Sequence, residues 1–256
     1  MKDILFLHGW ATDAAVWERQ LTALTGEYKC RTLTLPGHGD GAPWAEPTLA
    51  PAVDSLLCSL KEYARANDTS EEGVVAVGWS LGGQVILQAA HLKPEYFRGV
   101  VLVGATPCFV MRDDFAWGQS RGVTRRMAKE LGRDLSSTLN GFYALNFTEQ
   151  ELKSEEAADF VSHYSSRSAS FHKGSILSAL TALINTDIRG EVKKIETPAL
   201  IIHGDSDAVV PLGAGAFLAD VMPNARLEIF NDTGHAPFIT QATRFNNVVR
   251  SFAEEL

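Results

Sequence analysis

Val74-Val-Ala-Val-Gly-Trp-Ser80-Leu-Gly-Gly-Gln-Val-Ile-Leu87 joins two periodicities that do not belong to one element: a β-branched run ends at a serine set between glycines, and a helical pattern begins at once. Only small residues at Gly78 and Gly82 let a strand turn so sharply into a helix. The turn leaves the Ser80 hydroxyl exposed and aims the N-terminus of the new helix at whatever the hydroxyl attacks. A bare Gly-x-Ser-x-Gly has little specificity. The strand before it and the helix after it make Ser80 a candidate nucleophile.

The rest of the chain repeats that alternation. Apolar runs of strand length occur at Ile4 to Leu7, Cys30 to Leu35, Val74 to Val77, Gly99 to Val103, Ala199 to His203 and Leu227 to Phe230. Helical patterns lie between them: Trp17, Leu21 and Leu24, then Leu49 to Ala64, Gly82 to Leu92 and Ala242 to Leu256. Strands alternating with helices predict an α/β fold, a mostly parallel sheet flanked by helices on both faces. From 105 to 194 the rhythm breaks. No strand-like run occurs there, but helical patterns cover Val123 to Leu131, Leu135 to Leu145, Glu149 to Tyr164 and Ser175 to Ile184. The expected organisation is one domain over 1–256 with a helical lid inserted at 105–194, folded over the carboxyl ends of the strands where open α/β sheets bind ligands.

A serine hydroxyl is a weak nucleophile, so Ser80 needs a base and a group that orients the base. His235 lies in Asn231-Asp-Thr-Gly-His-Ala-Pro-Phe238, after the last strand and before the final helix, which makes it the candidate base. Ile201-Ile-His-Gly-Asp-Ser-Asp207-Ala-Val-Val-Pro211 places two aspartates just past a buried strand. Asp207 stands far enough from the strand to reach the histidine loop, and Asp205 suits the turn itself. The oxyanion donors expected are the amides of Leu81 and of Trp10, the latter in the loop His8-Gly9-Trp10. His8, His38 and His203 are read as structural, and His91, His163 and His172 as helix-surface or lid residues. No histidine pair has the spacing of a helical zinc site, and Leu35-Pro-Gly-His-Gly-Asp-Gly41 lacks the Gly-Lys-Ser/Thr ending of a phosphate loop. Neither a metal nor a cofactor is expected.

With 256 residues, a net charge of −8 and no basic field, the chain does not read as a nucleic-acid binder. Cys30, Cys58 and Cys108 have no metal-like spacing and are expected to be reduced thiols that behave as small buried hydrophobes in a cytoplasm. The apolar run near Met1 has four residues, too short for a signal-peptide core or a membrane span. No membrane partner is expected, and the chain is read as a monomer.

Leu7-His8-Gly9-Trp10, Leu35-Pro36-Gly37-His38-Gly39, Gly78-Trp79-Ser80-Leu81-Gly82-Gly83, Gly204-x-x-Asp207 and Gly234-His235 occur in order, and by them the sequence resembles the α/β-hydrolase superfamily over nearly its whole length. Within it, Pro107-Cys108-Phe109, Phe142-Tyr-Ala-Leu-Asn146 and His235-Ala-Pro-Phe-Ile239 are most similar to the pimeloyl-acyl-carrier-protein methyl ester esterases of biotin synthesis. The resemblance implies a serine carboxylesterase that cleaves the methyl ester of a pimeloyl chain on acyl carrier protein. It implies Ser80 as nucleophile, His235 as base and Asp207 as orienter, with Trp10, Trp79, Leu81, Phe142, Tyr143 and Asn146 against the substrate. Between Arg112 and Arg133 six basic residues face three acidic ones, so Arg121, Arg125, Arg126 and Arg133 could dock an acidic carrier protein, although such a stripe is more often a solvated helix face. The alternatives carried forward are a broad esterase, a carbon-carbon bond hydrolase with the same triad, and a non-catalytic ligand-binding member of the superfamily.

Overall fold

The uninterrupted apolar runs become the middle of a six-stranded sheet, and the mixed runs become its edges. In the computed structural model, which describes residues 2–67 and 73–256, the strands are β1 (Asp3–Leu7), β2 (Lys29–Leu33), β3 (Val74–Trp79), β4 (Phe97–Val103), β5 (Ala199–Gly204) and β6 (Ala225–Phe230). They pair in the order β2-β1-β3-β4-β5-β6, with every neighbour parallel. Every residue of β3 and β5 is buried, as strands covered on both faces must be, while β2 and β6 stay partly open.

Outside the insertion the helices are α1 (Glu18–Leu24), α2 (Ala50–Asn67) and α3 (Leu81–Leu92). The insertion holds α4 (Arg121–Arg133), α5 (Leu135–Leu145), α6 (Glu155–Arg167), α7 (Lys173–Asn185) and α8 (Arg189–Val192). After β5 come α9 (Leu212–Val221), α10 (Pro237–Thr240) and α11 (Ala242–Glu255). Trp17 fastens the two ends of the chain together: its fully buried ring lies 5.1 Å from Phe6 of β1 and 4.3 Å from Phe238 of α10. No helix among the described residues is long and apolar enough to cross a membrane.

Strand order decides where a site can form. The chain adds β2 on one side of β1 and later places β3 on the other, with Leu7 beside Gly78. The carboxyl ends of β1 and β3 are therefore the point where the order reverses, and the loops leaving them open a crevice. The Trp10 loop and Ser80 leave from those two ends.

In the insertion each long helix starts where a side chain can take a free amide: Ser120 accepts from Val123, Asp134 from Ser137, Ser154 from Ala157 and His172 from Ser175. Ser154 also corrects the helix expected over Glu149 to Tyr164. The segment is a 3-10 turn, Glu151–Lys153, followed by α6, because the Ser154 cap starts a new helix there. The helix α9 was not evident in the sequence, since it is apolar nearly all round and carries Gly213 and Gly215. A side chain at Gly213 would strike the Trp117 ring and one at Gly215 the His203 ring, so close packing demands residues that helix propensity disfavours. The cysteines are unpaired, but only Cys108 is buried; Cys30 is half-buried and Cys58 is exposed, its thiol facing Glu62, which corrects the expectation of three buried hydrophobes.

Candidate active site

The strand-to-helix turn closes only because its glycines let backbone touch backbone. A Cβ on Gly78 would lie 2.6 Å from the Gly82 carbonyl, and one on Gly82 would lie 2.7 Å from the Leu7 and His8 oxygens. Ser80 takes the strain, with φ +54° and ψ −112°, a conformation L-residues rarely hold. Its amide donates to the Val103 carbonyl at 2.8 Å, and its carbonyl accepts from Gly83 and Gln84, which starts α3. The Leu81 amide lies in the first turn of α3, where the helix itself supplies no acceptor.

Asp207 and His235, 28 residues apart, meet as a buried pair with 2.6 Å between Oδ2 and Nδ1. Their backbones can come this close because Gly104, at φ +52°, leaves the space a Cβ would take 2.8 Å from the His235 ring. The other carboxylate oxygen, Oδ1, accepts from the Val209 and Val210 amides, both at 2.8 Å. Burial alone would raise the Asp207 carboxyl. The His235 and His203 imidazoles outweigh it and hold the group well below the usual carboxylate range. His235 Nε2 is buried and has no hydrogen-bond partner among the described residues. Trp79 sets the ring from below, with ring centroids 5.5 Å apart and its indole N–H donating to the His235 carbonyl at 2.9 Å.

The Trp10 amide is aimed by its neighbours. The Gly9 carbonyl accepts from Thr12 Oγ1 at 3.0 Å and from His8 Nδ1 at 2.8 Å. In a trans peptide the following N–H must then point the opposite way. His8 Nε2 accepts from the Leu35 amide at 2.9 Å, so its proton sits on Nδ1. Gly9 itself makes room for the Trp79 ring, 2.8 Å from where a Cβ would stand.

Burial holds His8 down to about 4 and His38 down to about 3, the latter also repelled by His8. Both fold as neutral rings. Below pH 6.5 the unfolded chain binds protons that the folded chain refuses, so stability is full above that pH and is lost as pH falls through 6.5 towards 4. His8 alone should remove about 3 kcal/mol over that interval. Urea midpoints measured at pH 7.5 and pH 4.5 check this, and a flat profile would contradict the neutral burial.

The insertion grips both loops. Trp10 Nε1 donates to the Ile176 carbonyl at 3.0 Å, Tyr143 Oη to the Ala11 carbonyl at 2.8 Å and Tyr164 Oη to Asp13 Oδ1 at 3.2 Å. Arg167 pairs with Asp13 Oδ2 at 3.0 Å. On the other side the His235 amide donates to the Asn146 carbonyl at 2.8 Å. Tyr143 and Asn146, expected against the substrate, spend their polar groups on these structural contacts. The Tyr143 hydroxyl braces Ala11, which sits at φ +57°, and burial pushes its phenol up. The Asn146 amide donates back to Phe142 and Tyr143 within α5, leaving Oδ1 buried without a partner among the described residues.

Phe142 is half-buried. Its ring meets Trp10 edge-on at 4.9 Å, and it lines a groove of about 560 Å³ between α4 and α5 with Met127, Leu145 and Arg133. Arg121, Arg125, Arg126 and Arg133 are exposed on α4, and none forms an ion pair among the described residues.

Three further residues act on the site: His203 and Asp205, which the sequence marks only as structural, and Glu151, which carries no local signal there. His203 donates to the Val210 carbonyl at 2.8 Å and stands 3.3 Å from Asp207 Oδ2, which shapes the carboxylate's loop. Asp205 reaches across to the Thr233 amide at 3.3 Å, so it steadies the histidine loop as well as its own turn. Glu151 accepts from the Gly234 amide at 2.8 Å.

This sheet order, with a strained serine after β3 and an Asp-His pair after β5 and β6, defines a class of hydrolase scaffold. Residues 4–248 match the alpha/beta hydrolase family, and the chain belongs to it. It is 32% identical to a pimeloyl-[acyl-carrier protein] methyl ester esterase of Nitrosomonas europaea over 244 residues, 95% of this chain and 92% of that protein. It is also 32% identical to a protein of that name from Aromatoleum aromaticum, covering 97% of this chain and 98% of that one. Among solved structures it superimposes on a bromoperoxidase from Bacillus anthracis with a TM-score of 0.90 at 26% identity, over 99% of this chain and 92% of that one. An esterase from Exiguobacterium antarcticum shares the fold, with a TM-score of 0.87 at 23% identity and the same coverage.

Proposed function

We propose that the chain hydrolyses the methyl ester of a pimeloyl group carried on acyl carrier protein, with Ser80 as nucleophile, His235 as base and Asp207 as its orienter. The coarse activity is carboxylic ester hydrolysis. The observation that carries the mechanism is the 2.6 Å Asp207–His235 pair, whose Nε2 has no hydrogen-bond partner among the described residues, in a protein whose Ser80 is held on a strained turn.

The Asp207 carboxylate accepts the hydrogen bond from His235 Nδ1–H and so holds the proton on Nδ1, which leaves Nε2 as the basic nitrogen. As the Ser80 oxygen bonds the ester carbon, its proton passes to Nε2. Negative charge gathers on the carbonyl oxygen, where the Trp10 and Leu81 amides stabilise it; losing one such donor typically slows acyl transfer about 10²- to 10³-fold. The tetrahedral adduct collapses, the bond to the methoxy oxygen breaks, and His235 returns the proton to release methanol. Water then attacks the acyl-serine by the same route and frees the acid.

The substrate reading rests on the names of relatives that align over nearly the whole chain, and two surface features agree with it. The groove past Phe142 sets the apolar Met127, Phe142 and Leu145 among polar side chains such as Glu130, Asp134 and Thr138, which an acyl chain with a polar end would fit, and α4 presents arginines with no ion pair among the described residues to an acidic carrier. Purified protein should release methanol from the methyl ester of pimeloyl-acyl carrier protein and do so faster than from the free dimethyl ester. Turnover of short p-nitrophenyl esters with none of the carrier-bound ester would leave an esterase of different substrate and remove the carrier reading.

A further inference from the structure

We propose that Glu151, in the insertion, is a positioning residue for His235. Its carboxylate takes three donors from three segments: Oε2 accepts from the Thr148 and Gly234 amides, each at 2.8 Å, and Oε1 accepts from Thr240 Oγ1 at 2.6 Å. The first of these is a helix-start device. Thr148 and Glu151 form a reciprocal capping box, with the Glu151 amide donating to Thr148 Oγ1 at 3.1 Å. The other two have no place in a cap. Gly234 immediately precedes His235, and Thr240 ends the short helix that follows it, so one carboxylate brackets the histidine loop from both sides.

The approach is close enough to transmit position. A Cβ on Gly234 would fall 2.5 Å from the Asn146 carbonyl, the group that accepts from the His235 amide. Two consecutive amides, at Gly234 and His235, thus end on acceptors of the insertion, one of them charged. Charge-assisted bonds of this kind are about twice as strong as neutral ones. On the far side the loop rests on Asp205 through Thr233. Releasing Glu151 would leave the imidazole held by Asp207 but free to tilt, and displacements on the order of 1 Å at a catalytic base lower turnover by up to about 10²-fold.

The test compares Glu151→Ala, Glu151→Gln and Thr148→Ala on a short p-nitrophenyl ester. Glu151→Ala should lower kcat about 10- to 100-fold with KM within about twofold, and should shift or broaden the low-field proton resonance of the Nδ1–H between His235 and Asp207. Glu151→Gln keeps an oxygen for both amides and should recover kcat to within about threefold. Thr148→Ala breaks the capping box alone, so it should lower the melting temperature and leave kcat unchanged. If Glu151→Ala does not fold, Glu151→Asp, one methylene too short to reach Gly234, is assayed with the same expectation. A folded Glu151→Ala or Glu151→Asp with wild-type kcat and an unchanged resonance overturns the inference, as does an equal kcat loss in Thr148→Ala. The inference rests on His235 being the base. Full turnover in His235→Ala would remove that reading itself, whereas loss in His235→Ala beside a normal Glu151→Ala removes only the role of Glu151.

Discussion

Ser80→Ala should abolish turnover while leaving the protein folded. Removing the nucleophile of a serine hydrolase typically lowers kcat by about 10⁴- to 10⁶-fold, and what remains comes from oxyanion stabilisation and binding. The fold should tolerate the change because the strain at φ +54° is already borne by a residue with a Cβ, and alanine adds nothing to it. The Ser80 amide bond to Val103 and the carbonyl that starts α3 belong to the backbone and persist. Three measurements check this together: kcat on a p-nitrophenyl ester, the melting temperature, and labelling by a fluorophosphonate probe. Wild-type protein should be labelled at Ser80 and the variant not at all. Residual turnover above about 1% in the variant would mean that another group attacks. An unlabelled wild-type protein would favour the ligand-binding alternative.

What could be read from the sequence is what short-range chemistry encodes. The elbow is legible because strand, glycine, serine and helix occupy fourteen consecutive residues, and β3 and β5 because burial on both faces writes an unbroken apolar run. Asp207 and His235 could be paired because each follows a strand of the same sheet, and parallel strands end on the same side. Edge strands were harder: β6 begins two residues before the apolar run at Leu227, since its outer face meets solvent and carries Arg226 and Glu228.

The residues that went unread act across long separations. Tyr143 meets Ala11 over 132 residues and Glu151 meets Gly234 over 83. Nothing in Phe142-Tyr-Ala-Leu-Asn146 distinguishes a side chain that lines a channel from one that braces a loop; only the packing of α5 on the sheet decides it. The consequence is functional. Four side-chain contacts tie the insertion to the loop after β1, and two main-chain amides tie the histidine loop to the insertion. The insertion is thus part of the frame that holds the candidate base and oxyanion donor on either side of Ser80, and mutations in it should alter kcat without touching substrate.

Asp207→Asn should lower kcat about 10³- to 10⁴-fold in a folded protein, and the reason lies in which proton each nitrogen carries. Asparagine can keep Oδ1 on the Val209 and Val210 amides, since that oxygen only accepts, so the loop past β5 retains its shape. Its amide nitrogen then replaces Oδ2 against His235 Nδ1. An amide can only donate there, so Nδ1 must become the acceptor and the imidazole proton moves to Nε2. The nitrogen that should take the Ser80 proton is then already occupied. The same exchange sets an N–H against His203, whose Nε2 donates to the Val210 carbonyl, and the two donors cannot satisfy each other. A modest loss of stability, about 1–3 kcal/mol, should therefore accompany the catalytic loss. The carboxylate also ties stability to acid: its folded pKa is depressed, so its contribution is full above about pH 4 and is lost as pH falls further. Asparagine has no such dependence, so the gap in urea midpoint between wild type and variant should narrow below pH 4. A variant with wild-type kcat would exclude Asp207 as the orienter, and Asp205→Asn, which leaves the His235 ring untouched, should stay within about tenfold of wild type.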